Sequence, residues 1–136
     1  MPSWQKSYRL PKGERLLSLQ VRMKHSHPDG AVPGEIFAYA EAMLRDGSPL
    51  VRIDKQGITS DEAWAVYDKR SKPVKAELCF TRDSGRWQER KWETLPATLQ
   101  ARSRRVSAKI PEASRAVYLN LIDDRGLIVS TEHQER

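Results

Sequence analysis

Ala116-Val117-Tyr118-Leu119-Asn120-Leu121-Ile122, then Asp123-Asp124-Arg125-Gly126, then Leu127-Ile128-Val129-Ser130-Thr131, is the stretch whose reading decides the fold. Branched and aromatic residues favour a pleated strand, and an acidic, Gly-ended turn joins antiparallel neighbours. The same rhythm repeats upstream. Ala63 to Tyr67, Val74 to Phe80, Lys91 to Thr94, Ala97 to Gln100 and Val106 to Ile110 read as strands, with Arg70-Ser71-Lys72-Pro73, Asp83-Ser84-Gly85 and Ile110-Pro111 between them. About seven short strands in roughly eighty residues predict a mainly β fold, a seven-stranded immunoglobulin-like or fibronectin-III-like sandwich over residues 58–136. Alternation turns Leu78, Phe80, Val106, Ala108, Val117 and Leu119 inward. Trp64, Trp87, Trp92 and Tyr118 are expected to fill or rim the core. Trp87 and Trp92 are alternatively a substrate-binding platform on which a sugar ring stacks.

The first third of the chain has a different pattern. Leu17, Leu19, Val21 and Met23 alternate with Ser18, Gln20 and Arg22, the two-residue period of a strand with one covered face. Pro33 then stands where a first helical turn tolerates it, and Ile36, Ala40, Met43 and Leu44 share a helical stripe that Arg45-Asp46-Gly47 ends. Strand, loop and helix thus occupy a segment within residues 1–50. Residues 48–57, with Pro49 and no sustained period, read as a connector. An isolated strand and helix are not stable alone, so their apolar faces require the sandwich, a second copy in a homodimer, or a further domain as cover.

Composition narrows the function classes. The chain has 136 residues, 24 basic against 18 acidic side chains and a net charge of +6. The basic residues are spread out, with Arg102 to Arg105 the one dense patch, which argues against nucleic acid as the partner. One cysteine, Cys79, rules out an internal disulfide and a cysteine-rich metal site. The opening Met-Pro-Ser-Trp-Gln-Lys lacks the apolar core of a signal peptide, and no apolar run is long enough to span a bilayer, so a soluble chain is expected.

The loop between the strand and the helix, Met23-Lys24-His25-Ser26-His27-Pro28-Asp29-Gly30, holds two of the three histidines. A histidine on a loop leaving a strand and entering a helix is placed as a general base is in many hydrolases. Trp4-Gln5-Lys6-Ser7-Tyr8, Leu16 to Met23, His25-Ser26-His27 and Pro33 to Ala40 together resemble the last part of bacterial α/β-hydrolases similar to acetyl-xylan esterases and dienelactone hydrolases. Phe80-Thr81, Ser84-Gly85-Arg86-Trp87, Arg90-Lys91-Trp92 and Asp124 to Ser130 resemble the β-sandwich that follows that domain. The resemblance implies that His25 or His27 is the catalytic histidine of a Ser-His-Asp triad acting on a small carboxylic ester or lactone, with no cofactor. It also exposes a gap, since no Gly-x-Ser-x-Gly turn exists here to carry the serine. The strands bearing nucleophile and acid would precede Met1 in a full-length relative.

Two other readings stay open. His25, His27 and Asp29 are spaced so that two imidazoles and a carboxylate meet on one side of an extended chain, which suits zinc and a metal-bound water. That spacing resembles the start of the metallo-β-lactamase-type hydrolase signature, although Gly30 stands where its next histidine belongs. Glu132 and His133 are reserve ligands, and Asp123-Asp124 with Asp29 would suit calcium. The third reading is a non-catalytic β-sandwich accessory module that binds carbohydrate or a partner domain.

Overall fold

The computed structural model describes residues 8–10, 12–13, 15–21 and 33–136. Residues 8–9 are helical, and the described chain also forms the helix α1 (Gly34–Leu44) and nine strands: β1 (Ile53–Ile58), β2 (Glu62–Tyr67), β3 (Lys75–Thr81), β4 (Glu93–Pro96), β5 (Thr98–Gln100), β6 (Arg105–Lys109), β7 (Ala116–Ile122), β8 (Ile128–Ser130) and β9 (Gln134–Glu135). They build two antiparallel sheets. One has the order β1-β2-β6-β5; the other has β4-β3-β7-β8, with β9 also on β7. The fold is mainly β, as the alternation requires, with nine strands where the sequence reading counts seven.

Alternation along each strand produces the core. Ala63, Ala65, Tyr67 and Val106 from the first sheet meet Ala76, Leu78, Phe80, Val117, Leu119, Leu121 and Val129 from the second. Five of the six residues expected inward are buried, and Ala108 is partly buried against the same cluster. Burying the Val, Leu and Phe side chains among them stabilises by about 1.5–3 kcal/mol each. The tryptophans do not fill this core. Trp64 alternates out of it on β2, and Tyr118 is buried on the opposite face of β7.

The two added strands have physical explanations. β1 lies in the stretch read as a connector, and Leu50 and Val51 just before it are buried. Its sequence, Ile-Asp-Lys-Gln-Gly-Ile, shows no clean alternation because the register shifts between Ile53 and Lys55, and because Gly57 faces Trp64 across the ladder. A Cβ at Gly57 would come within 3.0 Å of the indole, so the absent side chain is what lets Trp64 lie there. β9 continues the line of β8 after an irregularity. Val117 pairs with Gln134 and Asn120 with Ser130, so Thr131, Glu132 and His133 oppose only Tyr118 and Leu119. Three residues facing two make a bulge, which breaks the period of two and hides the second half of the strand from pattern reading.

The strand expected over Leu17 to Met23 is corrected for its described part: residues 17–21 form no strand, and Arg22 and Met23 lie outside the described residues. The segment instead runs beside β8, where Ser130 N–H donates to the Leu17 carbonyl at 2.7 Å and Leu19 N–H donates to Ser130 Oγ at 2.8 Å. A side-chain oxygen takes the place of a ladder carbonyl, so no regular pairing develops.

Removing a core side chain from β7 tests this packing. Leu119→Ala is expected to cost about 2–5 kcal/mol in urea unfolding. Val74→Ala, at a side chain 63% exposed just before β3, is expected to stay within about 0.5 kcal/mol.

Candidate functional site

His25, His27 and Asp29 all lie outside the described residues, but both ends of the segment that carries them are placed. Before it, Leu17 and Leu19 are held on β8, and the Leu19 carbonyl accepts from Asn120 Nδ2 at 3.2 Å. After it, α1 begins, and its first turn sends Glu35 inward. The Glu35 Oε1 accepts from Gln20 Nε2 at 3.2 Å and from the Ile128 backbone N–H at 2.8 Å. One carboxylate oxygen thereby joins the chain entering residues 22–32, the helix leaving them, and β8. Gly34 sits against Leu127, where a Cβ would meet Cδ2 at 2.8 Å, so glycine lets the helix start this close to the sheet.

Asn120 and Ser130 form the base of this fastening. Ser130 Oγ donates to Asn120 Oδ1 at 2.6 Å while accepting from Leu19 N–H, and Asn120 Nδ2 also reaches Cys79 Sγ at 3.5 Å. Both residues are buried, so each lost bond would leave a desolvated polar atom. Burial pushes the Cys79 thiol up to about 12, with Tyr118 hydrogen bonding opposing the shift only in part. The single cysteine is therefore a protonated packing group and no nucleophile.

α1 has two unlike faces. Glu35, Ala38, Tyr39 and Ala42 turn toward the sheets, whereas Ile36, Phe37, Met43 and Leu44 are 52%, 60%, 59% and 81% exposed. The stripe the sequence marks out is present, but it points away from the sheets. Leu17, Leu19 and Val21 are half-buried.

A second cluster lies on the outer face of the β7 sheet. A short 3-10 turn, Trp87–Glu89, brings the Trp87 ring 4.4 Å from Trp92 with their planes 49° apart, and 4.5 Å from His133. Trp92 continues to Tyr118 at 5.3 Å. Arg90 locks the turn: its guanidinium donates to the Gly85 carbonyl at 3.0 Å, pairs with Glu135 at 2.8 Å and stands 5.7 Å over Trp87.

The reserve metal ligands have other partners. Glu132 is paired with Arg9, whose Nε lies 2.9 Å from Oε2, and His133 is buried against Trp87 with Nε2 3.7 Å from Glu135. Asp123 accepts from the Arg125 and Leu127 backbone N–H groups and from the Arg125 guanidinium, which reaches on to the Ser48 and Pro49 carbonyls. Both its oxygens are engaged in closing the β7–β8 turn. Among the described residues no group of three or more His, Cys, Asp or Glu is arranged for a metal ion, and no helix is long and apolar enough to cross a membrane. Sequence reading missed Gln20, Glu35, Asn120 and Ser130. Each is an ordinary polar residue whose role appears only when segments far apart in the chain meet. No known protein family, curated protein or solved structure matches this chain.

One measurement tests the fastening and another the burial of His133. Glu35→Ala is expected to cost about 1–3 kcal/mol and to accelerate hydrogen exchange at the Ile128 amide, while Glu35→Gln, which keeps an acceptor, retains most of the protection. Burial lowers the His133 pKa, with Glu135 opposing and Arg90 adding to the shift. The unfolded chain, near the ordinary value of about 6.5, then takes up a proton that the folded chain resists. Stability is accordingly full above about pH 6.5 and declines as the pH falls below it. The thermal midpoint should drop between about pH 7 and pH 5, and His133→Phe should flatten that drop.

Proposed function

We propose that this chain takes part in hydrolysis of carboxylic esters or lactones, with His25 or His27 as the general base and the β layers as the mount that positions it. The observation that carries this reading is the bridge through Glu35, which holds both ends of residues 22–32 on β8. A general base acts only within hydrogen-bond reach of the proton it removes, and misplacement by about 1 Å costs up to a hundredfold. The contacts that hold the chain on either side of residues 22–32 support such a role.

The outward apolar stripe of α1 supports a further part of the reading. In α/β proteins a helix following a strand covers a sheet with its apolar face. Ile36, Phe37, Met43 and Leu44 offer such a face, and an α/β-hydrolase sheet is the partner the sequence resemblance implies. That sheet would bring a serine on a Gly-x-Ser-x-Gly turn, a pattern this sequence does not contain, together with its oxyanion hole and the triad acid. The strand orders β1-β2-β6-β5 and β4-β3-β7-β8 also support an immunoglobulin-like type for the β layers, since A-B-E-D against C-F-G with an added C′ has the same connectivity.

The test uses the protein as it occurs naturally, with any polypeptide continuous with or bound to this chain, assayed on p-nitrophenyl acetate and a simple lactone. Replacing one of His25 and His27 by alanine is expected to lower kcat by about 10³-fold or more without chelator sensitivity. Glu35→Ala is expected to lower kcat by about tenfold with KM little changed, as a positioning residue should. Full activity in a His25→Ala/His27→Ala double variant, or no hydrolysis of either substrate by the natural protein, would overturn the reading.

A further inference from the structure

The outer face of the β7 sheet carries a groove of about 520 Å³, within the range of about 300–1,000 Å³ typical of small-molecule sites. Glu77 of β3 and Asn120 of β7, paired across the ladder, form its floor. Trp92 and Thr94 flank the floor on the β4 side, and Gln20 and Ile128 flank it on the β8 side. The groove exists because residues 15–21 stand on β8 like a second rim, through the Leu17 and Leu19 bonds to Ser130.

Trp92 is a braced wall. Trp87 and Tyr118 pack against it at 4.4 and 5.3 Å, and Trp87 is held in turn by His133 and Arg90. An aromatic side chain fixed in this way loses little freedom when a ligand arrives. The polar groups around it are mostly acceptors. Glu77 gives Oε1 to Lys75 at 2.6 Å and keeps its second oxygen, Gln20 gives its Nε2 to Glu35 and keeps its carbonyl, and Thr94 presents an exposed hydroxyl. Asn120 is fully engaged with Leu19, Cys79 and Ser130, so it shapes the floor and leaves recognition to the others.

A tryptophan face beside hydroxyl and carboxylate acceptors suits a ligand with an apolar C–H face and a rim of O–H donors, which is the chemistry of a pyranose ring. Glu77 and Glu93 at this groove are each paired with a cation, Lys75 and Arg82, so they add acceptor oxygens and little net charge, which suits a neutral ring. We infer that the groove is a binding site for a neutral glycan residue, with Trp92 as its stacking wall and Glu77, Thr94 and Gln20 as its hydroxyl partners. The site does not depend on the hydrolytic reading, and its failure would leave that reading untouched.

The experiment titrates the full chain, labelled at the indole nitrogens, with β-1,4-linked hexasaccharides of glucose, mannose and xylose up to about 10 mM, which covers the weak end of specific binding. The expected result is movement of the Trp92 indole N–H resonance with at least one saccharide while that of Trp64, on the other sheet, stays in place. Trp92→Ala should weaken binding about tenfold or more. Glu77→Gln and Thr94→Val should each weaken it about threefold with the unfolding midpoint unchanged, and they decide the matter if Trp92→Ala fails to fold. No movement at Trp92 with any neutral saccharide, undiminished binding in these variants, or equal binding of an oligogalacturonate would overturn the proposal.

Discussion

Strand β7 is buried on both faces, and most of the molecule is arranged around that constraint. Its inner face, Val117, Leu119 and Leu121, belongs to the common apolar core. Its outer face presents Tyr118 and Asn120, whose polar atoms need partners once water is excluded. Asn120 finds them in Ser130, Leu19 and Cys79, and Tyr118 lies against the Trp92 ring. The segment 15–21, the Trp87 turn and the bulge at residues 131–133 are therefore the cover of a doubly buried strand. Buried polar groups demand particular partners where apolar ones demand only neighbours, so this cover is specified in position as well as composition.

The same cover shapes the groove and the start of α1. Fixing residues 15–21 on β8 leaves a groove between them and Trp92, and sends the chain at Val21 into residues 22–32 beside the start of α1. Glu35 then closes the segment by accepting from Gln20 and Ile128. A glutamate in the first turn of a helix is favoured by the helix dipole, and here it also joins two segments that are separate in sequence. α1 buries its small and polar residues against the sheets and turns its large apolar ones outward. Ile36, Phe37, Met43 and Leu44 are thereby left exposed on the side away from the sheets.

Particular residues show how far the pattern carries. Leu78, Phe80, Val106, Val117 and Leu119 are legible as core because each stands in an unbroken alternation of two, and a strand can satisfy that alternation only by burying one face. Ile36, Ala40, Met43 and Leu44 are legible as a helical stripe for the equivalent reason at a period of 3.6, although the period says nothing about which way the stripe points. β1 and β9 escape because a register shift, Gly57 beneath Trp64 and a three-against-two bulge each interrupt the count. The alternation of Leu17, Leu19 and Val21 suggests a strand, yet Ser130 Oγ takes the place of a carbonyl and no ladder forms.

By itself, then, the sequence determined a mainly β chain with a helix at Gly34–Leu44 and a core of alternating apolar residues, because periodicity and turn chemistry are local properties. It also raised His25 and His27 as candidates for proton transfer, a reading carried by residue type and position in the sequence. Only the tertiary structure decided that Glu35, Gln20, Asn120 and Ser130 fasten the segment around those histidines, that α1 shows its apolar stripe to the outside, and that Trp92 is braced beside a polar floor. Those features depend on hydrogen bonds and ring contacts between residues far apart in the chain, such as Asn120 to Leu19, with a separation of 101, and Leu19 to Ser130, with a separation of 111. No local period encodes such pairs, because they arise from the order in which strands stack and from the need to satisfy the polar groups that stacking buries.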